Sequence, residues 1–294
     1  MKSAQQSLSL FTSSGPKIHD KERKWAQEMA DLVEGLVWKR NATLGLERMN
    51  ANVAIALKEL GLNIVDAQQA LEMARTIKSP EEVKCIVASL HATEVAVGKL
   101  HDAVSPGLAE NQLCAGPRTN PWFQESASYV IQKNDLVALD TGVVGCHGHY
   151  SDSDFSRTFR AGPEPPTEEQ KELYRTALAQ VNHSMSMLRS GLTFGEYADL
   201  AWDIPEQYWA IQYFVSAHGC GLTGECPYLY HRGDFPDAGY DGVIEPGMVL
   251  CVVSYIGIED GTQGVKLRAL PARSTIELHS PIISRNAHTL LGDR

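Results

Sequence analysis

The chain has 294 residues, of which 43% are hydrophobic and 21% charged, so it is long enough to bury a substantial core. Its formal net charge of −10 argues against nucleic acid and against an anionic membrane surface as partners. No run of about 18 uninterrupted apolar residues occurs, so we expect no membrane span and a soluble, cytoplasmic protein. The six cysteines form no CxxC pair, which predicts reduced thiols rather than a disulfide framework.

The N-terminal quarter of the chain is predicted to be mainly helical. Residues 1–17 are rich in polar and small side chains and are expected to form a flexible tail. Apolar residues recur every three or four positions over 21–46 and again over 50–61, which predicts two amphipathic helices. A short strand over 63–65 and a short helix over 67–74 are predicted to follow.

A long helix is predicted to begin at Ser79. Ser79 is suited to cap the first turn, Pro80 fits the first helical position, and Glu82 favours the positive end of the helix dipole. Apolar residues then recur at helical spacing until Ser105 and Gly107, where a Ser-Pro-Gly turn stops the helix.

The second half of the chain alternates strand and helix patterns. Strands are predicted over 136–139, directly after residue 154, and over 248–255. Thr167 begins a capping box that predicts a helix over 167–189. This mixture predicts an α+β or an α/β domain, of which we take α+β as the fold class.

Two acidic positions and one histidine are candidates for metal chemistry. Asp140 follows a buried strand, where a carboxylate can hold a metal or simply form a turn. Asp152 and Asp154 can bind a divalent cation together or mark a solvated hairpin tip. His218 lies between glycines that let a ligand approach closely, although a lone histidine is often structural.

The order of these residues resembles the creatinase/aminopeptidase family, which has a pita-bread fold. The resemblance extends from about Ser79 to Ser280 and implies a pita-bread catalytic-type domain over 79–294. Residues 1–78 are then a flexible tail and a truncated N-terminal α/β remnant. The motifs that carry the resemblance are Arg75–Glu82, Pro106–Gly107 with Glu110, Asp140, Asp154 before Ser156–Arg157–Thr158, His218 with Gly219 and Gly221, and Pro246–Gly247–Met248.

Within the family, the sequence is most similar to the branch of dimethylsulfoniopropionate lyases. The segments that indicate this branch are Gly116–Glu125, Tyr240–Gly242 and Gly264–Leu267. The resemblance implies a metal-dependent lyase of that type or an Xaa-Pro peptidase, acting on a small molecule or a short peptide. Its cofactor would be a divalent metal such as Fe, Zn, Mn or Co, and a homodimer is compatible with it.

The family pattern assigns roles to particular residues. It implies Asp140, Asp154 and His218 as metal ligands, with Asp152 competing with Asp154 for the same role. His218, Tyr213 and Glu225 are the implied catalytic residues. Glu225 is a candidate base because it is next to the position where the lyase branch carries an aspartate.

The sequence departs from the pattern at both metal-binding glutamates. Valine stands at 253 and arginine at 268, and neither side chain can bind a metal. We therefore expect one metal ion at most, or none, with the Arg268 guanidinium neutralising Asp140 and Asp154. Whether the chain is an enzyme stays open: it is either an impaired enzyme or an inactive member that serves as a binding or dimerisation module.

Two further features accompany this site. Trp122 and Tyr213 are expected either to hold a cationic substrate against their ring faces or to pack in the core. Only residues 111–115 join two motifs between which the family has more chain, which indicates decay of this segment or an incomplete gene product.

Overall fold

The computed structural model describes residues 17–109, 113–122, 127–141 and 155–269. The expected tail over 1–16, Glu110, Asp152 and Asp154 lie outside the described residues. The helices are α1 Ile18–Val37, α2 Ala51–Glu59, α3 Gln68–Thr76, α4 Pro80–Ala103, α5 Glu168–Met187, α6 Phe194–Leu200, α7 Glu206–Trp209 and α8 Phe235–Ala238. The strands are β1 Thr43–Leu46, β2 Asn63–Asp66, β3 Cys114–Ala115, β4 Leu136–Thr141, β5 Phe155–Arg160, β6 Ala217–Cys220, β7 Gly224–Leu229, β8 Leu250–Gly257 and β9 Gly264–Ala269.

The chain divides into two compact units, Met1–Ala74 and Arg75–Arg294. In the first unit, β1 and β2 form a parallel pair, and α1 and α2 share a small apolar core. Ala26 and Leu57, from these two helices, are completely buried there. The predicted domain boundary after residue 78 stays a prediction.

The predicted helix over 21–46 is wrong in its last part, because residues 43–46 form strand β1. Trp38 adopts a left-handed conformation with φ of 57°, and this ends α1. Gly45 lies close to Ala67, the residue that follows β2. A Cβ added at Gly45 would come within 2.7 Å of the Ala67 Cβ. Pairing with strand β2 therefore overrides the helical spacing of the apolar residues.

Helix α4 begins as its sequence predicts. The Ser79 side chain accepts a hydrogen bond from the Glu82 backbone, and the Glu82 carboxylate accepts one from the Ser79 backbone. Ile86 and Leu90 on this helix are buried in an apolar cluster with Leu139 and Phe155, from β4 and β5. The helix is thereby fixed against the strands that carry the candidate site.

The second unit is built on a seven-stranded sheet in the order β3-β4-β5-β9-β8-β6-β7. Every pairing in it is antiparallel. Helix α5 begins with the predicted capping box of Thr167 and Gln170, and its apolar face joins the largest core cluster together with residues of β8 and β9. The mixed helix and sheet architecture is that of the predicted α+β class.

Strands β6, β7 and β9 were not predicted from the sequence. These strands are short and contain glycine or polar residues. Pairing with neighbouring strands of the sheet, rather than local propensity, holds them in place.

Across all the residues that the structure describes, no helix has both the length and the apolar character needed to cross a membrane.

Candidate metal centre

Asp140 lies near the end of β4, and its carboxylate is bonded to three side chains. The Ser156 hydroxyl donates to Oδ1 over 2.7 Å, and Nη1 of Arg268 donates to the same oxygen over 3.0 Å. The Lys266 ammonium makes a short ion pair with Oδ2. The candidate metal ligand is therefore held by two cations of its own chain.

The sheet register explains how these residues meet. Asp140 is opposite Ser156, Ser156 is opposite Arg268, and Arg268 is opposite Val253. We call these four positions the cross-strand row; it passes through β4, β5, β9 and β8. Residues directly opposite each other on antiparallel strands lie on the same face with Cα atoms about 4.5–5.5 Å apart. The row thus brings position 268 within side-chain reach of Asp140.

The charges around Asp140 keep its carboxyl ionised. Burial acts to raise the pKa of Asp140, but the positive charges of Arg268 and Lys266, with hydrogen bonds from Lys266 and Ser156, outweigh it. The pKa of Asp140 consequently lies below its ordinary value of 3.8. At neutral pH this group is an anion paired with two cations.

Tyr213 and Trp122 form an aromatic wall next to the two cations. Their ring centroids are 4.3 Å apart, and Nη2 of Arg268 donates to the Tyr213 hydroxyl over 2.9 Å. The Lys266 ammonium is 4.7 Å from the Tyr213 ring centroid and 5.3 Å from that of Trp122. The sequence predicts that these rings either hold a cationic substrate or pack in the core. In the structure, they contact the cationic side chains of Lys266 and Arg268.

His218 is on β6 and only 5% exposed. Its Nδ1 donates to the Gly219 carbonyl over 2.8 Å. In the neutral imidazole this bond leaves the lone pair on Nε2, which is the arrangement of a metal-binding histidine. Its role as a ligand or catalytic group stays a prediction.

Glu225, the candidate base, is on β7 and completely buried. Its carboxylate makes a short ion pair with Lys78 and accepts a hydrogen bond from Nε of Arg75 over 3.1 Å. A Cβ added at Gly221 would collide with the Glu225 carboxylate, so this glycine provides the room for it. The geometry gives Glu225 a structural ion-pair role, and a role as a base stays a prediction.

The described residues do not fit a metal cluster of the family type. They contain no group of three or more His, Cys, Asp or Glu side chains placed to hold a metal ion. At the two glutamate positions, Val253 is completely buried and supplies no lone pair, and Arg268 occupies Asp140 with its guanidinium. The expected ligands Asp152 and Asp154 lie outside the residues that the structure describes.

Sequence reasoning predicted the Arg268–Asp140 contact but missed Lys266, Lys78 and Arg75. A usable signal existed for Lys266: it is two residues before Arg268, and residues two apart in a strand point to the same face. No comparable local signal links Lys78 to Glu225, because they are 147 residues apart.

Comparison with known proteins identifies relatives over most of the chain. The model of metallopeptidase family M24 matches residues 65–270, more than half of the chain. Over 253 residues the chain is 30% identical to the dimethylsulfoniopropionate lyase of Roseovarius nubinhibens, covering 77% of this chain and 56% of the lyase. It is 24% identical to the Xaa-Pro dipeptidase of Pyrococcus furiosus, covering 76% of this chain and 71% of that protein. The chain therefore spans little more than half the length of the lyase that it matches.

Solved structures show the same fold. The prolidase from Pyrococcus furiosus superposes with a TM-score of 0.65 at 21% identity, covering 82% of this chain and 75% of the prolidase. The X-Pro aminopeptidase from Thermotoga maritima gives 0.67 at 16% identity, covering 84% and 74%. These neighbours confirm the predicted pita-bread fold. Together with the family match, they establish that this chain belongs to metallopeptidase family M24.

Proposed function

We propose that this chain is a catalytically inactive family M24 protein that binds a small molecule or a short peptide without a metal ion. One observation carries the proposal: the Asp140 carboxylate is bonded to both Lys266 and Arg268. Enzymes of the family typically use divalent metals, and here two basic side chains occupy a predicted metal ligand.

The charge balance supports a metal-free centre. Asp140 carries one negative charge, and the Lys266 and Arg268 side chains that pair with it carry two positive charges. These three groups therefore already have an excess of one positive charge. A divalent ion added beside them would raise that excess, and close charges of one sign are unfavourable in a partly buried site.

The same cations argue against a positively charged substrate. Dimethylsulfoniopropionate carries a sulfonium cation, which an aromatic wall can hold in the absence of competing charges. Here the Tyr213 ring has the Lys266 ammonium at 4.7 Å and the Arg268 guanidinium carbon at 5.5 Å. A sulfonium at these rings would be repelled by both, so a neutral or anionic ligand fits better.

A second candidate function is a reduced enzyme with a single metal ion held by Asp140, Asp154 and His218. The hydrogen bond from Nδ1 of His218 to the Gly219 carbonyl favours it, because it leaves Nε2 as the metal-binding nitrogen. This candidate requires the ion to displace Lys266 or Arg268 from Asp140.

Metal analysis and an activity screen separate the two candidates. Purified protein is measured by mass spectrometry for bound metal, then assayed with dimethylsulfoniopropionate and Xaa-Pro dipeptides in the presence of Fe, Zn, Mn or Co. We expect less than a tenth of a metal ion per chain and no turnover above that of Asp140→Asn. Stoichiometric metal with turnover that Asp140→Asn abolishes would establish the mononuclear enzyme instead.

The expectations of a homodimer and of a cytoplasmic location stay predictions. Light scattering after size-exclusion chromatography measures the mass in solution directly. A measured mass equal to that of one chain would contradict the prediction of a homodimer.

A further inference from the structure

We propose that Arg268 and Lys266 together act as a built-in substitute for a divalent cation, and that the residues at positions 253 and 268 are what denies a cation the carboxylates it needs in this sheet. The inference rests on the metal-free centre proposed above and goes beyond it. It states which side chains do the cross-linking that a metal ion would do, and which changes would reverse it.

The two basic side chains connect several elements, as a bound cation would. Arg268 on β9 donates to Asp140 on β4 and to the Tyr213 hydroxyl in the segment before β6. Lys266, also on β9, pairs with Asp140. Ser156 on β5 donates to the same carboxylate. Side chains from three neighbouring strands therefore meet at the Asp140 carboxylate, and Arg268 links this cluster to the Tyr213 segment.

Both substitutes are buried deeply enough for this role. The side chains of Lys266 and Arg268 are 5% and 7% exposed, whereas that of Asp140 is 32% exposed. Cations held at this depth need a close anion, and Asp140 supplies it. Removing the positive charge at position 268 would therefore weaken the electrostatic attraction that holds Asp140 against β9.

The cross-strand row shows what a glutamate at 268 would do. Its side chain is shorter than that of arginine and carries a negative charge, so it cannot pair with Asp140 directly. A cation between the two carboxylates would remove the repulsion, with oxygen ligands at about 2.0–2.6 Å from the ion. The Arg268→Glu change therefore replaces the Arg268 salt bridge by a pair of carboxylates, and an ion that bridges them still has to displace the Lys266 ammonium from Asp140, so binding to this single variant should be weak.

Position 253 adds the second carboxylate. Val253 is directly opposite Arg268 on β8 and is completely buried among Tyr213, Val215 and Tyr255. A single Val253→Glu change would place a buried carboxylate opposite the guanidinium, and the two would pair without a metal ion. Only with Arg268→Glu as well do both glutamates become available to a cation.

The test uses the full chain, its variants and Mn²⁺ as the probe, because carboxylates suit this ion. We expect the wild type and Val253→Glu to bind no Mn²⁺ in calorimetry and after dialysis. Arg268→Glu is expected to bind it weakly, and Val253→Glu/Arg268→Glu to bind about one ion per chain at least tenfold more tightly. The matched control is Val253→Gln/Arg268→Gln, which has the same size without the charge and is expected to bind none.

Thermal unfolding gives a second readout. Mn²⁺ should raise the melting temperature of the double glutamate variant and leave that of the wild type and of the glutamine control unchanged. If the double variant folds only with Mn²⁺ present, the inference is supported as well. No binding by either Arg268→Glu variant, folded or refolded with Mn²⁺, overturns the inference while leaving the proposed function intact. Tight Mn²⁺ binding by the wild type overturns both.

Discussion

The sheet of the second unit holds two carboxylates that are each bonded to two basic side chains, and they differ in burial. The Glu225 side chain is fully buried, and its partners Lys78 and Arg75 come from a segment about 150 residues earlier. The Asp140 side chain is 32% exposed, and its partners Lys266 and Arg268 come from one strand. The comparison teaches that similar ion pairs differ in what they connect: the buried pair joins distant segments, and the more exposed pair is made by the carboxylate that the family pattern predicts as a metal ligand.

The largest effect is expected from removing the buried carboxylate. Glu225→Ala leaves the Lys78 ammonium, 2% exposed, without its ion-pair partner. Breaking a buried pair from one side costs about 3–5 kcal/mol of unfolding free energy. Urea denaturation followed by circular dichroism measures the change.

The matched control for this loss removes both charges. Lys78→Met/Glu225→Leu keeps similar volumes and removes the fully buried ion pair, while Arg75, 21% exposed, loses its bond to Glu225, so this variant should recover part of the lost stability. A single Glu225→Ala variant that loses less than about 1 kcal/mol would contradict a structural role for this carboxylate, because an exposed pair has that size of effect.

A smaller effect is expected from Arg268→Gln. Asp140 keeps Lys266 and Ser156 as partners, whereas the bonds from the guanidinium to Asp140 and Tyr213 are lost. A hydrogen bond to a charged group contributes about 1.5–3 kcal/mol, and we expect a loss in this range in the same urea experiment. Arg268→Lys keeps the charge and should lose less. Equal losses from the two variants would show that the charge at 268 is unimportant.

The smallest effect is a change in the pH dependence of stability. Because the folded pKa of Asp140 lies below 3.8, the stability that this group contributes is present above that pH and is lost as the pH falls from 3.8 towards the folded pKa. Asp140→Asn removes this contribution, so its stability should fall less steeply than that of the wild type in the acid range. Parallel stability curves of the two proteins below pH 4 would contradict the pairing of Asp140 with its cations.

Local signals predicted the two long helices of the second unit and the strand that carries Asp140 well. Ser79 with Glu82 and Thr167 with Gln170 form the capping boxes that their spacing indicates, since each depends only on residues three apart. Strand β4 likewise lies where its apolar run predicts it. The strand at Thr43–Leu46 was predicted as helix, because the contact that decides it joins Gly45 to a residue well beyond it in the chain.

The site could be predicted only in part, for a related reason. Asp140 and His218 were found as candidates because motif order marks them, and Arg268 because a charge stands where a ligand is expected. The identity of the partners of Glu225 depends on chain segments that are brought together by the whole sheet, and no periodicity encodes that. Its candidacy as a base came from one neighbouring motif position, whereas its contacts depend on Lys78 and Arg75.

The glycines next to His218 have a consequence for how such motifs should be interpreted. An added Cβ at Gly219 would collide with the backbone at Cys226, and one at Gly221 with the Glu225 carboxylate. The backbone of the folded hairpin thus requires Gly219, and Gly221 leaves room for the buried Glu225 carboxylate, whether or not any reaction takes place there. In this chain, steric fit accounts for the glycines of the His-Gly-Cys-Gly sequence. A sequence search should therefore not take this motif by itself as a sign of catalysis.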